Sequence, residues 1–145
     1  MTFDRRVRVL IADADPGIRR GLNQRLLDAE VFADTAADGK DAVERLKETS
    51  YAVVVLDLQL QQVSSERVLD FIAALPREER PVVLVLARTS ARSLDVDVVQ
   101  IVLRKPCDLQ QLADIVHSCV RNAADAIRRD ELTAGLQPSP APQLA

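Results

Sequence analysis

A chain of 145 residues is long enough for one well-cored domain and too short for two. Nearly half of it (48%) is apolar but only 3% is aromatic, so the core must be aliphatic, built from Val, Leu, Ile and Ala. A net charge of -3, with Lys and Arg scattered rather than gathered into a stripe, argues against a nucleic-acid partner.

No apolar run approaches the roughly 18 residues that a membrane helix needs. No basic-then-apolar leader opens the chain, and Arg5-Arg6 is too short to mark a membrane or nucleic-acid contact. The expectation is a cytoplasmic protein with no membrane partner. Cys107 and Cys119 form neither a Cys-x-x-Cys pair nor a disulfide ladder. They read as small apolar packing residues in a reducing compartment.

The first apolar run, Val7–Ala12, predicts a strand that ends at Asp13. Asp15-Pro16 then opens a helix, with a capping acid ahead of a proline whose missing N–H costs nothing at the first helical position. Ile18, Leu22, Leu26 and Ala29 form its inner face. A second strand falls at Val31–Ala36, and Asp38-Gly39 introduces a second helix carrying Ala42, Val43 and Leu46. Ala52–Leu56 is a third strand, closed by Asp57. Ser64 or Ser65 caps a third helix with Val68, Leu69, Ile72 and Leu75 facing inward. Pro81–Leu86 is a fourth strand. Arg88–Val99 has room for only a short, poorly patterned helix before a fifth strand at Gln100–Leu103. Asp108 caps the last helix, whose stripe is Leu109, Leu112, Val116, Cys119, Ala123 and Ala126. The groups Arg77-Glu78-Glu79-Arg80 and Arg128-Arg129-Asp130-Glu131 read as solvated helix ends, and His117 as a surface residue off the stripe.

Runs such as Val53-Val54-Val55-Leu56 and Val82-Val83-Leu84-Val85-Leu86 are apolar without alternation. That is the signature of strands covered on both faces in a parallel sheet. Strands alternating with helices imply right-handed crossovers, and ligands of open sheets bind beyond the carboxyl ends of the strands. Asp13 follows strand one, Asp57 follows strand three and Lys105 follows strand five. These are the candidate site residues.

In order and spacing, Val9-Leu10-Ile11-Ala12-Asp13, Pro16-Gly17-Ile18-Arg19, Asp38-Gly39, Val55-Leu56-Asp57-Leu58 and Leu103-Arg104-Lys105-Pro106 resemble the receiver domain of bacterial two-component response regulators. The resemblance covers roughly Val7 to Arg129. It implies an α/β, flavodoxin-like, doubly wound (βα)5 fold with a five-stranded parallel sheet, here with a shortened or irregular fourth helix. Residues 1–132 would form the receiver domain, and 133–145 a disordered Pro-rich tail.

The resemblance also implies phosphoryl transfer from a kinase phosphohistidine to Asp57, with catalysis by positioning and charge neutralisation. Mg²⁺ would be held around Asp13, Asp57 and Gln59, and Lys105 would bind the phosphate or, beforehand, the aspartate. A cis bond would precede Pro106. Several parts depart from the family pattern. Ala14 stands where a second acid contacts the metal, which weakens any Mg²⁺ site. Asp15 reads as the helix cap, with replacement of that acid as its other reading. Leu86 stands where a hydroxyl belongs, with Thr89 and Ser90 beyond it, and Val102 stands where a switching aromatic is expected. Leu60-Gln61 replaces Met-Pro, and Ser65 replaces a glycine. The stretch between Leu86 and Lys105 is about three residues short.

Two functions follow. In the first, a histidine kinase or phosphotransfer protein phosphorylates Asp57 at a weakened site, and the change alters binding to an unidentified protein effector. In the second, the chain is a pseudo-receiver that serves as a docking or dimerisation module without phosphate. Because both Asp57 and Lys105 are kept, the balance tips to the first. A homodimer is compatible with either. An aspartate-nucleophile hydrolase is disfavoured, since Gln59 stands where its second acid belongs and no glycine-rich phosphate loop is present. The chain is therefore not expected to be an enzyme.

Overall fold

The computed structural model describes residues 7–60, 62–88 and 94–136. The elements run β1 (Val9–Ala12), α1 (Pro16–Asp28), β2 (Ala33–Ala36), α2 (Gly39–Glu48), β3 (Val53–Asp57), α3 (Ser65–Ala73), β4 (Val82–Ala87), β5 (Ile101–Arg104) and α4 (Leu109–Leu136). The five strands form one sheet in the order β2-β1-β3-β4-β5, and every pairing is parallel. This is the doubly wound arrangement that the sequence pattern predicts.

Strand position follows composition. β1, β3 and β4 are central, and β1 and β3 are buried along their whole length. β2 and β5 carry polar residues and lie at the edges. Because strand side chains alternate, two cores result. Val9, Ile11, Val53, Val55, Leu84 and Leu86 pack against Leu22 and Leu26 of α1 and Leu112, Val116 and Val120 of α4. Leu10, Leu56, Val83 and Val85 pack against Ala42 and Leu46 of α2 and Val68 and Ile72 of α3. Each fully buried Val or Leu side chain contributes about 1.5–3 kcal/mol relative to exposure. Two aliphatic cores therefore replace the aromatic one that this composition denies.

The helix starts are set by short acceptors. Asp15 Oδ1 accepts from the Gly17 amide, Asp38 Oδ1 from Asp41, Ser64 Oγ from Arg67, and Asp108 Oδ1 from Gln110 and Gln111. Gly39 is required at the start of α2, where a Cβ would stand 1.9 Å from the Val63 carbonyl oxygen. That contact presses α2 against the loop between β3 and α3.

Several expectations need correction. Leu75 lies beyond α3, which ends at Ala73. Arg80 is not a solvated helix end, because its guanidinium donates to the carbonyls of Ala73 (2.6 Å) and Leu75 (3.0 Å) and closes the open end of α3. Ala126 is exposed, and the stripe instead continues through Ala124 and Ile127. α4 also continues to Leu136, four residues past the boundary expected at 132. Residues 137–145, which hold the prolines of the tail, lie outside the described residues.

Between β4 and β5 the described residues 94–100 form no helix. Asp95 accepts from the amides of Val98 and Val99 through its carbonyl and from Asp97 through its carboxylate, which closes a turn. Val98 and Val99 fold inward onto the core shared with α2 and α3, covering sheet that a helix would otherwise cover. Thr89 and Ser90 lie outside the described residues. His117 is half-buried on α4 and engaged, rather than a solvated surface residue.

Candidate functional site

β1, β3 and β5 end at the same rim of the sheet, and the residues after or at their ends meet there. The Lys105 ammonium lies 2.9 Å from Asp13 Oδ2 and 3.3 Å from Asp57 Oδ2. Asp13 is fully buried, and Asp57 and Lys105 are nearly so. The three residues singled out from the sequence are therefore in contact.

Each is oriented by backbone. The Asp15 amide donates to Asp13 Oδ1 (2.9 Å), and the Gln59 amide donates to Asp57 Oδ1 (3.0 Å). The Lys105 amide donates to the Ala87 carbonyl (2.8 Å), and the Lys105–Pro106 peptide bond is cis. Arg19 on α1 donates to the carbonyls of Asp13 (2.7 Å) and Ala14 (3.0 Å) and fixes the loop between them.

Charge follows from this packing. Burial pushes the Asp13 carboxyl above its ordinary range; the Lys105 ammonium and the Asp15 amide pull it back, and the neighbouring charge of Asp57 pushes it up again. Burial alone would lower the Lys105 ammonium. Asp13 and Asp57 outweigh that, so the net shift is upward and Lys105 stays charged.

The departures from the family pattern take definite places. Ala14 is exposed and offers no oxygen. Asp15 spends its carboxylate on the α1 cap, so the helix-cap reading describes it. Leu86 pairs with Asp57 across β4 and β3, and its side chain is fully buried in the core with α1 and α4. Val102 is 49% exposed on the edge strand, with no aromatic beside it to switch. Gln59 is exposed and reaches the site through its amide.

Among the described residues, no group of three or more His, Cys, Asp or Glu side chains could hold a metal. Yet Asp13 Oδ2 is fully buried, with the Lys105 ammonium as its counter-charge and no other donor in reach among the described residues. Two carboxylates supply the hard oxygen donors that Mg²⁺ prefers, and Mg²⁺ is commonly held by one or two carboxylates together with phosphate oxygens. The residues fit such an ion, as a site short of one acid.

Two features beside the rim escaped the sequence reading. Ser65, noted there only as standing in for a glycine, is buried. Its hydroxyl donates to the Asp57 carbonyl (2.7 Å) and accepts from the Leu60 amide (3.4 Å). Arg88, directly after β4, lines a cavity of about 440 Å³ together with Asp15, Ile18, Lys105, Pro106, Cys107 and Leu109. Its position directly after a strand was the only signal available. Cys107 lies in the same wall, and burial pushes its thiol up, away from reactivity. No helix of the described residues is long and apolar enough to cross a membrane.

Comparison with known proteins agrees with this geometry. The receiver domain of a putative LuxO repressor protein from Vibrio parahaemolyticus superposes with a TM-score of 0.71 at 23% identity, covering 88% of this chain and 96% of that one. The chemotaxis response regulator CheY4 of Vibrio cholerae gives 0.68 at 19% identity, covering 78% and 98%. A chain from the co-crystal structure of the Saccharomyces cerevisiae histidine phosphotransfer signaling protein Ypd1 and the receiver domain of its downstream response regulator Ssk1 gives 0.69 at 18%, covering 81% and 91%. No curated protein matches significantly by sequence. The response regulator receiver domain family model matches residues 9–117, three quarters of the chain, with the rim that joins Asp13, Asp57 and Lys105 inside the matched span; the chain belongs to that family.

Proposed function

We propose that this receiver accepts a phosphoryl group on Asp57 from a phosphohistidine of a kinase or phosphotransfer protein, and that the modified rim changes its affinity for a protein partner. Receiver domains are phosphorelay signalling modules, and the solved neighbours include one captured with a phosphotransfer protein. The observation that carries the assignment to Asp57 is its contact with the Lys105 ammonium at 3.3 Å, beside the buried carboxylate of Asp13.

In the transfer, the N–P bond of the phosphohistidine breaks as a bond forms between phosphorus and an Asp57 carboxylate oxygen. The electron pair returns to the imidazole, which takes up a proton, and the product is an acyl phosphate. The Gln59 amide holds one Asp57 oxygen, and Lys105 stands at the other, where it neutralises charge as it builds. Asp13 and Asp57, with the backbone carbonyl of Gln59, are the residues that would hold Mg²⁺, which when bound would supply positive charge against the charge that builds in the transfer. Ser65, through the Asp57 carbonyl, keeps the acceptor from turning away. The protein serves as substrate of this transfer rather than as an enzyme with turnover.

A second reading, a docking module that no longer uses phosphate, is favoured by one observation: Leu86 is buried where a phosphoryl oxygen needs a donor. Incubation with a phosphorylated phosphotransfer protein, or with acetyl phosphate, separates the two. Mass spectrometry of the intact chain should show a gain of one phosphoryl group, absent in Asp57→Asn. No gain with either donor, together with partner binding unchanged by Asp57→Asn, would establish the docking module instead.

A further inference from the structure

The end of β4 has lost a hydroxyl and gained a guanidinium. Leu86, opposite Asp57, turns into the core between α1 and α4. Ala87 is buried and gives its carbonyl to the Lys105 amide at 2.8 Å, so the next residue starts directly beside Lys105. That residue is Arg88. It is exposed, and it lines the cavity of about 440 Å³ together with Lys105. No hydrogen bond or ion pair engages it among the described residues.

Charge counting gives this placement a meaning. With Asp13 and Asp57 ionised and Lys105 protonated, the rim carries one net negative charge. A phosphoryl group adds about 1.5 to 2 more. Ala14 contributes no acid, so a divalent cation there is held weakly and offsets less of that charge than a two-acid site allows. Lys105 is already shared between two carboxylates. Arg19 is engaged by the carbonyls of Asp13 and Ala14, so a further cation is needed to face the phosphoryl group.

We propose that Arg88 is that cation: its guanidinium binds the phosphoryl oxygen for which Leu86 offers no donor, and it grips the group together with Lys105, whose cavity it shares. The proposal rests on the reading of Asp57 as acceptor. A guanidinium suits the task because it never deprotonates and presents a planar fork of donors to tetrahedral oxyanions. It also reaches farther than a hydroxyl, which fits its start one residue beyond the buried end of the strand. Asp15 lines the same cavity, and its Oδ1 accepts from the Gly17 amide.

The test uses the full chain with beryllofluoride, a phosphoryl mimic, in the presence of Mg²⁺, followed by fluorine NMR. Wild-type protein should bind with resolved fluorine resonances that vanish in Asp57→Asn. Arg88→Ala should weaken binding about tenfold or more, as expected for loss of a hydrogen bond between charged groups. It should also move one bound fluorine resonance, while Arg88→Lys restores part of the affinity. The thermal midpoint without ligand should stay unchanged, because the side chain is exposed. If wild type and Arg88→Ala bind equally with the same fluorine shifts, Arg88 is not a ligand and the acceptor reading stands. If wild type binds nothing, the acceptor reading falls and this proposal falls with it.

Discussion

Lys105 Nζ stands 2.9 Å from Asp13 Oδ2, a full ion pair in which the carboxylate is wholly withdrawn from water and the ammonium almost so. A buried pair of this kind adds little net stability, because desolvation cancels most of the attraction. Its importance lies in what happens when one member is removed.

Lys105→Met leaves the carboxylates of Asp13 and Asp57 facing one another without a counter-charge. Breaking a buried pair in this way costs about 3–5 kcal/mol. Urea unfolding at neutral pH should show a loss of that order, and the deficit should shrink as the pH falls. The sign follows from Asp13, whose pKa is already raised by burial and rises further without the ammonium, so acid neutralises the orphaned charge. A deficit that stays constant with pH would show that the two carboxylates are not the source of the strain.

Ala14→Asp restores an acid on an exposed loop position beside Asp13. Mg²⁺ affinity should rise at least about tenfold, the lower end of what even supporting interactions around a metal contribute. Calorimetric titration of both proteins measures it directly.

Ser65→Ala removes the hydroxyl that spans the acceptor loop and strands the Asp57 carbonyl and the Leu60 amide in a buried position. The expected loss is about 1–3 kcal/mol in urea unfolding. Phosphorylation by acetyl phosphate should slow as well, measured where both proteins are fully folded, because the acceptor backbone is no longer held.

The single tyrosine reports on the opposite end of the fold. Tyr51 donates its hydroxyl to Asp34 Oδ2 (2.7 Å), while Arg8 donates to Asp34 Oδ1 (2.8 Å). Burial and the Asp34 charge push the phenol up to about 12 from its ordinary 10.0. The folded state therefore holds this proton more tightly than the unfolded chain. Its contribution to stability is fully present below pH 10.0 and is lost as the pH climbs to about 12. Ultraviolet titration of tyrosinate should give that midpoint, and Tyr51→Phe should flatten the fall in stability across the same window.

How much of this was legible in sequence depends on whether the cause was local. Val53–Leu56 and Val83–Leu86 read as central parallel strands because both of their faces are covered and the runs are short and rich in β-branched residues. Asp15, Asp38, Ser64 and Asp108 cap helices within two or three residues of themselves, so their roles could be read from spacing. The Asp13, Asp57 and Lys105 cluster was legible because topology sends every strand end to one rim. Arg80, Ser65 and Arg88 were not legible in the same way. Each acts on backbone or cavity that only the folded chain brings near, and nothing in the adjacent residues marks them. The inward packing at 95–99 was not legible for a related reason: Val98 and Val99 are paired with the core rather than with a helical period. The end of α4 was set too early because Gly135 and the charged residues before it look like a terminus, although neither is strong enough to stop a helix already under way.

α4 begins four residues after Lys105 and runs unbroken for 28 residues, roughly 42 Å. Its early turns are clamped against the sheet, whereas Arg128 through Gly135 stand clear of it. The packed stretch from Leu112 to Ile127 ties that exposed end to the same core that seats the charged rim.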